Sequence, residues 1–183
     1  MSAMASRRKY EIAFVGLKPG VHEFNYELDE KFFKEKGAED VENMHANVKL
    51  LLEKNTGFLL LKFLVGGKAG VNCDRCGNPL QVDLWDEFNM VVKLTADPEE
   101  MNSNEEDADV FYISRTESHI DVEDWLYEFS MLSIPMQRMC GNDENGKSLC
   151  NEEVIQKLEE MKIKEEDHNA TSIWKGLDKF KEN

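Results

Sequence analysis

Basic residues are scarce in this chain, long apolar runs are missing, and proline, cysteine and histidine occur four times each in 183 residues. Each shortage excludes something. The 22 lysines and arginines face 37 aspartates and glutamates, a net charge of −15. Such a surface repels a phosphate backbone at long range, so direct RNA contact needs a local basic patch. A protein with a basic surface is the easier electrostatic partner. The most apolar run, "FLLLKFLVGG", is interrupted by Lys62 and is too short to cross a bilayer, so no membrane partner is expected. The opening "MSAMASRRKYEIAF" carries two arginines but no long apolar stretch, unlike a secretory signal. The expected location is therefore cytoplasmic, where thiols stay reduced and structural disulfides are disfavoured. On that reading the sequon Asn169-Ala170-Thr171 is a chance match. Catalytic signatures are missing too. In "GGKAG" Lys68 precedes Ala69 rather than Ser or Thr, and the upstream glycine of a phosphate loop is absent. His22, His45, His119 and His168 are scattered and near no nucleophile. The expectation is a protein that is not an enzyme and has no small-molecule substrate.

What is present suits a globular fold. Apolar residues make up 41% of the chain, and its length accommodates one domain, read as residues 10–183. Residues 1–9, with the cluster Arg7, Arg8 and Lys9, precede the first strand and are expected to be disordered. His22, Phe24, Tyr26 and Leu28 alternate with polar residues as in a half-buried strand. Val41, Met44, Val48 and Leu51 fit a helical stripe. The alternation Val48, Leu50, Leu52, the turn-like "KNTG", and then Leu59, Leu61, Phe63, Val65 fits a hairpin better. Leu80, Val82, Leu84 and then Phe88, Met90, Val92, Leu94 predict a further long strand or two. Short connections argue for antiparallel pairing throughout. Residues 97–109 are a charge run with almost no apolar content, expected to form a mobile acidic loop.

Helices are expected later. Val122, Trp125, Leu126, Phe129 and Leu132 share one helical face, with Asp121 as cap and Pro135 as stop. Asn151 caps a second helix with the stripe Val154, Ile155, Leu158, Met161, and a short last helix carries Ile173, Trp174, Leu177 and Phe180. Trp85, Trp125 and Trp174 are assigned to core packing. Strands first and helices later make the fold class α+β, an antiparallel sheet half followed by helices.

The four cysteines fall in two pairs. Cys73 and Cys76 sit two residues apart in "GVNCDRCGNPLQV", with Gly77 and Pro79 behind them. Cys140 and Cys150 flank the polar stretch "GNDENGKSL". Two pairs separated by a long segment can meet as a four-thiolate site, the closed geometry of structural zinc. A Cys-x-x-Cys turn suits a zinc knuckle, because its backbone N–H groups can point at the sulfurs. Other readings stay open: a dithiol redox protein or sensor using Cys73 and Cys76, inert thiols, or a disulfide. The redox motif usually lies between a strand and a helix start, whereas Gly77-Asn78-Pro79 leads into another strand-like run. In the zinc reading the site staples the strand half to the helical half, with Asp74, Arg75 and Asn78 facing outward.

"VNCDRCGNPL", an alternating strand, an acidic loop and a helix ending in "LSIPMQRMC…C" together resemble the YceD family of large ribosomal RNA subunit accumulation proteins. The resemblance extends from the "GVHEF" strand to the Trp174 segment, and Cys73 to Pro79 is its most specific piece. It implies a cytoplasmic, non-enzymatic ribosome-biogenesis factor that supports synthesis, processing or stability of 23S rRNA. Its implied partner is a ribosome-assembly protein or a pre-ribosomal particle. A zinc-stapled protein–protein adaptor unrelated to ribosomes is the blander alternative. The end "ATSIWKGLDKF" departs from the family by lacking Asp-Pro-Arg before the tryptophan. Should RNA be touched directly, two patches are candidates, Lys68 with Arg75 near the cysteine turn and the N-terminal cluster Arg7, Arg8 and Lys9, and the turn is the better of the two.

Overall fold

The computed structural model describes residues 9–168, with the side chains of 162–168 left aside. Arg7, Arg8 and the segment from Ile173 to Phe180 lie outside the described residues. Contacts group the chain into two compact units, Met1–Val71 with Gln81–Met136, and Asn72–Leu80 with Gln137–Asn183.

The first unit is built on a mixed five-stranded sheet in the order β2-β3-β4-β5-β6. Its strands are β2 (Gly20–Leu28), β3 (Glu42–Lys54), β4 (Phe58–Asn72), β5 (Pro79–Thr95) and β6 (Val110–Ser114). The alternation in the sequence reflects the pleat: successive side chains point to opposite faces, and one face is buried. Val48 lies opposite Val65, Leu50 opposite Phe63, and Leu52 opposite Leu61 in the antiparallel β3–β4 hairpin. All six are buried. Burying such side chains contributes about 1.5–3 kcal/mol each, which fixes the register, because a one-residue slip would turn the whole row to solvent. β2 adds to β3 antiparallel, with Tyr26 opposite Val48.

β6 departs from the antiparallel expectation. It pairs parallel to β5, with Val92 opposite Phe111 and Leu94 opposite Ile113. A parallel neighbour needs a crossover rather than a tight turn. Residues 96–109 provide it, and they contain a helix, α2 (Pro98–Asn104), where the sequence reading placed only loop. No residue of α2 is buried, which is why its composition reads as loop.

Three further α-helices lie in the described chain, besides a single 3-10 turn at Phe14–Gly16. α1 (Glu30–Glu35) is capped by Asp29, whose side chain accepts from the Phe32 N–H at 3.1 Å. It buries Phe32 and Phe33. α3 (Glu123–Leu132) lays Trp125 and Phe129 on the sheet: Phe129 lies 4.9 Å from Phe63 and stacks on Phe88 at 4.5 Å, and Trp125 meets Phe111 edge-on at 5.3 Å. Leu132, expected on that face, is exposed, as is Trp85 at 85% of its surface. Asp121 ends the short strand β7 (Ile120–Asp121), which pairs with β1 (Glu11–Ile12), and its carboxylate accepts from the Glu123 N–H. α4 (Glu152–His168) belongs to the second unit. None of these helices is long and apolar enough to cross a membrane.

"GGKAG" is strand. At Glu42 to His45 the β3–β4 register slips by one residue, a bulge that places Asn43 at φ 49°. The bulged strand crowds its neighbour. A Cβ on Gly67 would lie 2.1 Å from the His45 carbonyl oxygen, and one on Gly70 would lie 2.7 Å from that of Glu42. The glycines serve close strand approach, not a phosphate.

Candidate metal centre

All four cysteines lie in the second unit and come from two turns. The first spans Cys73–Asn78, where β4 hands over to β5. Gly77 takes φ 73°, and its N–H donates to the Cys73 carbonyl at 2.9 Å while the Cys73 N–H donates to the Asn78 carbonyl at 2.8 Å. Gly77 supplies a left-handed angle that costs other residues strain. The second turn is a closed hairpin. Asn142 bridges Ser148, the Asp143 N–H donates to the Lys147 carbonyl, and the Leu149 N–H donates to that of Gly141. The Asp143 carboxylate accepts from the N–H groups of Asn145 and Lys147, and Gly146 turns the chain at φ 82°. This hairpin brings Cys140 and Cys150 together despite their wide spacing in sequence.

The sulfurs converge. Sγ of Cys73 is 3.9 Å from that of Cys150, Sγ of Cys76 is 3.7 Å from that of Cys140, and all four lie within 4.8 Å of one another. Four thiolates at about 2.3 Å around a tetrahedral zinc ion stand about 3.8 Å apart, so the donor set and its spacing fit that ion. A disulfide needs about 2.05 Å, and all four cysteines are free. Cys73 and Cys150 are buried, Cys76 and Cys140 partly so. Among the described residues this is the one group of three or more metal-ligating side chains.

The backbone is arranged for sulfur anions. Burial pushes the Cys73 thiol up, but the N–H groups of Cys76, Arg75 and Cys140 outweigh it and bring the thiol down to about 6. The N–H groups of Asn151 and Asn78 hold Cys76 below its ordinary value. Cys140 is pushed the other way, up to about 12, by burial and then by the three neighbouring sulfurs. Four thiols this close resist joint ionisation, and a bound dication would relieve that repulsion.

Of the residues expected to face outward from the first turn, Asp74 and Arg75 are exposed and Asn78 is half-buried. Asp74 also clips the two turns together: its carboxylate accepts from the Arg138 N–H at 2.8 Å and from the Arg138 guanidinium at 3.0 and 3.1 Å, and its own N–H donates to the Arg138 carbonyl at 2.7 Å. The Arg138 N–H, foremost, holds the Asp74 carboxyl low. Sequence reasoning passed over Arg138, although its place two residues before Cys140 was the available signal. Lys68, the other candidate for RNA, lies on β4 and faces Asp83 at 3.8 Å.

His22 contacts the Lys18 carbonyl and His119 the Ser118 hydroxyl, both in the first unit. Neither a curated protein nor a solved structure matches this chain. One family model does, "Large ribosomal RNA subunit accumulation protein YceD", over residues 61–181, a stretch that holds all four cysteines and begins within β4. β2 and β3, including the "GVHEF" strand, fall outside that match. By this match, which covers most of its length, the chain belongs to the YceD family.

Proposed function

We propose that the protein is a non-enzymatic ribosome-biogenesis factor that supports accumulation of large-subunit (23S) rRNA, stabilised by structural zinc on Cys73, Cys76, Cys140 and Cys150. The family match over residues 61–181 carries the functional part. The convergence of four sulfurs within 4.8 Å supports the metal. Zinc on four thiolates has no open position for substrate, so its part is to hold the two turns together. The partner is a ribosome-assembly protein or pre-ribosomal particle in the cytoplasm, and neither a membrane nor a small-molecule substrate enters the reading.

Two measurements test it. Depleting the protein from its source cells should lower mature 23S rRNA relative to small-subunit rRNA, and wild-type chain should restore the ratio. Unchanged rRNA on depletion would remove the functional reading. Elemental analysis of protein purified under reducing conditions should find about one zinc per chain, with Cys73→Ser and Cys140→Ser each losing it. Fast alkylation of Cys73 and Cys76 without bound metal would favour a dithiol redox protein instead.

A further inference from the structure

We propose that α4 is a docking helix for a basic amphipathic segment of a protein partner, a proposal that gives a binding surface to the partner-mediated role above and rests on it. Along α4 the apolar side chains Val154, Ile155, Leu158 and Met161 recur at the spacing of one helical face. In an ordinary surface helix such a stripe is buried against a core. Here Leu158 is 41% and Met161 64% exposed, and Val154 and Ile155 are only partly covered. Among the described residues the stripe is left incompletely covered, and an apolar stripe rimmed by charge is the form of helix-in-groove and helix-on-helix recognition.

Charge selects the occupant. The helix sequence "EEVIQKLEEMKIKEEDH" holds seven acidic residues against three lysines. Glu152 and Glu159 border the stripe on one side; on the other, Lys157 is followed by Glu153 and Glu160. Glu152 already takes Lys147 as its ion partner. A second copy of this chain would set one acidic rim against another, so the surface disfavours self-association. A helix with leucine-like side chains on one face and lysines or arginines beside them matches both the stripe and its rim. RNA matches neither.

The helix is also fixed at its base. Asn151 caps it, its side-chain oxygen accepting from the N–H of Glu153 at 3.0 Å and of Val154 at 3.4 Å. The preceding residue is Cys150, one of the four converging thiols. A metal held there anchors the first turn of α4 and reduces the ordering entropy that docking costs. Exposed methionine suits the role, because its flexible thioether repacks against differing apolar partners.

The test uses full-length protein purified with its metal and a fluorescent synthetic peptide in which leucine and lysine alternate at helical spacing. A matched peptide carries glutamate in place of every lysine. In fluorescence anisotropy at about 150 mM salt, where surface charges more than a Debye length apart are screened, the lysine peptide should bind and the glutamate peptide should not. Leu158→Asp with Met161→Asp should weaken binding at least tenfold while leaving helix content and zinc content unchanged. Equal binding of both peptides, wild-type affinity in the double variant, or dimerisation abolished by the double variant would each overturn the proposal. Failure of peptide binding with zinc and rRNA phenotype intact sinks this inference alone, whereas unchanged rRNA on depletion sinks the reading beneath it.

Discussion

Gly67 and Tyr26 show how single residues are constrained by what surrounds them. Gly67 sits at φ 152°, and any Cβ there meets the His45 carbonyl at 2.1 Å. That atom is backbone within a paired strand, so it cannot swing aside. Gly67→Ala should destabilise the protein by about 2 kcal/mol or more through strain and disrupted pairing, read as a lower urea midpoint; an unchanged midpoint would show that the bulge relaxes freely. Tyr26 is buried, and its phenol is raised from 10.0 to about 12, first by burial and then by Asp121 and Tyr10. Because the fold favours the neutral phenol, this group costs no stability below pH 10. As pH rises from 10 towards 12, the unfolded chain ionises first and stability falls. Tyr26→Phe keeps the ring and removes the ionisation. The variant should gain on wild type between pH 10 and 12, whereas a stability difference independent of pH would contradict the assignment.

Among the elements, β6 needs the most explanation, because one side of it pairs with β5 and the other side must be satisfied elsewhere. Asn102 of α2 supplies the missing strand. Its side-chain oxygen accepts from the Tyr112 N–H at 2.8 Å and its side-chain nitrogen donates to the Tyr112 carbonyl at 2.9 Å. The Tyr112 hydroxyl in turn donates to Glu105 at 2.8 Å. Pairing at Tyr112 blunts the middle of the edge against another strand. Asn102→Ala leaves a partly buried donor and acceptor unpaired and should cost about 1–3 kcal/mol. Asn102→Asp should restore only the acceptor and fall between the two; if Asn102→Ala unfolds at the wild-type urea concentration, α2 is not holding the edge. The acidic segment hid this device. Its charges read as loop because α2 buries no residue, and the asparagine that matters is one polar residue among many. The hairpin, by contrast, was legible, since Val48, Leu50, Leu52 and their partners bury one face along its length and no other register does so. α1 was not, because six residues are too few to show a period, and Phe32 and Phe33 are held by tertiary contact. Leu132 fits the helical face by its spacing and Trp85 was assigned to core packing on a predicted face, and their exposure separates a pattern that fits a face from a face that is covered.

At the scale of the whole molecule, charge bears on whether the chain can contact RNA directly. The cysteines were the most readable part of the site, because Cys-x-x-Cys needs only local geometry. The Asp74–Arg138 clip joins residues 64 apart in sequence, and its salt bridge and hydrogen bonds have no local pattern to announce them. That clip bears directly on RNA. A net charge of −15 repels phosphate, and specific affinity needs several cations in one patch. The described cations that could form one are largely engaged: Arg138 with Asp74, Lys147 with Glu152, Lys68 with Asp83, Lys62 with Glu87 and Lys49 with Glu23. These exposed pairs are individually weak, yet each must be broken before its cation meets a phosphate. Arg75 is exposed and stands in the Cys73–Asn78 turn, where bound metal would hold its backbone in place, so it is the strongest single candidate for contact. One arginine gives a salt slope near one phosphate, far short of tight binding. Purified protein titrated with large-subunit rRNA fragments from about 50 to 300 mM salt should therefore bind weakly at the low end and not measurably at the high end. Arg75→Ala should change little beyond that residual slope. Tight binding with a steep slope that Arg75→Ala flattens would place RNA at the Cys73–Asn78 turn and displace the protein partner from the mechanism.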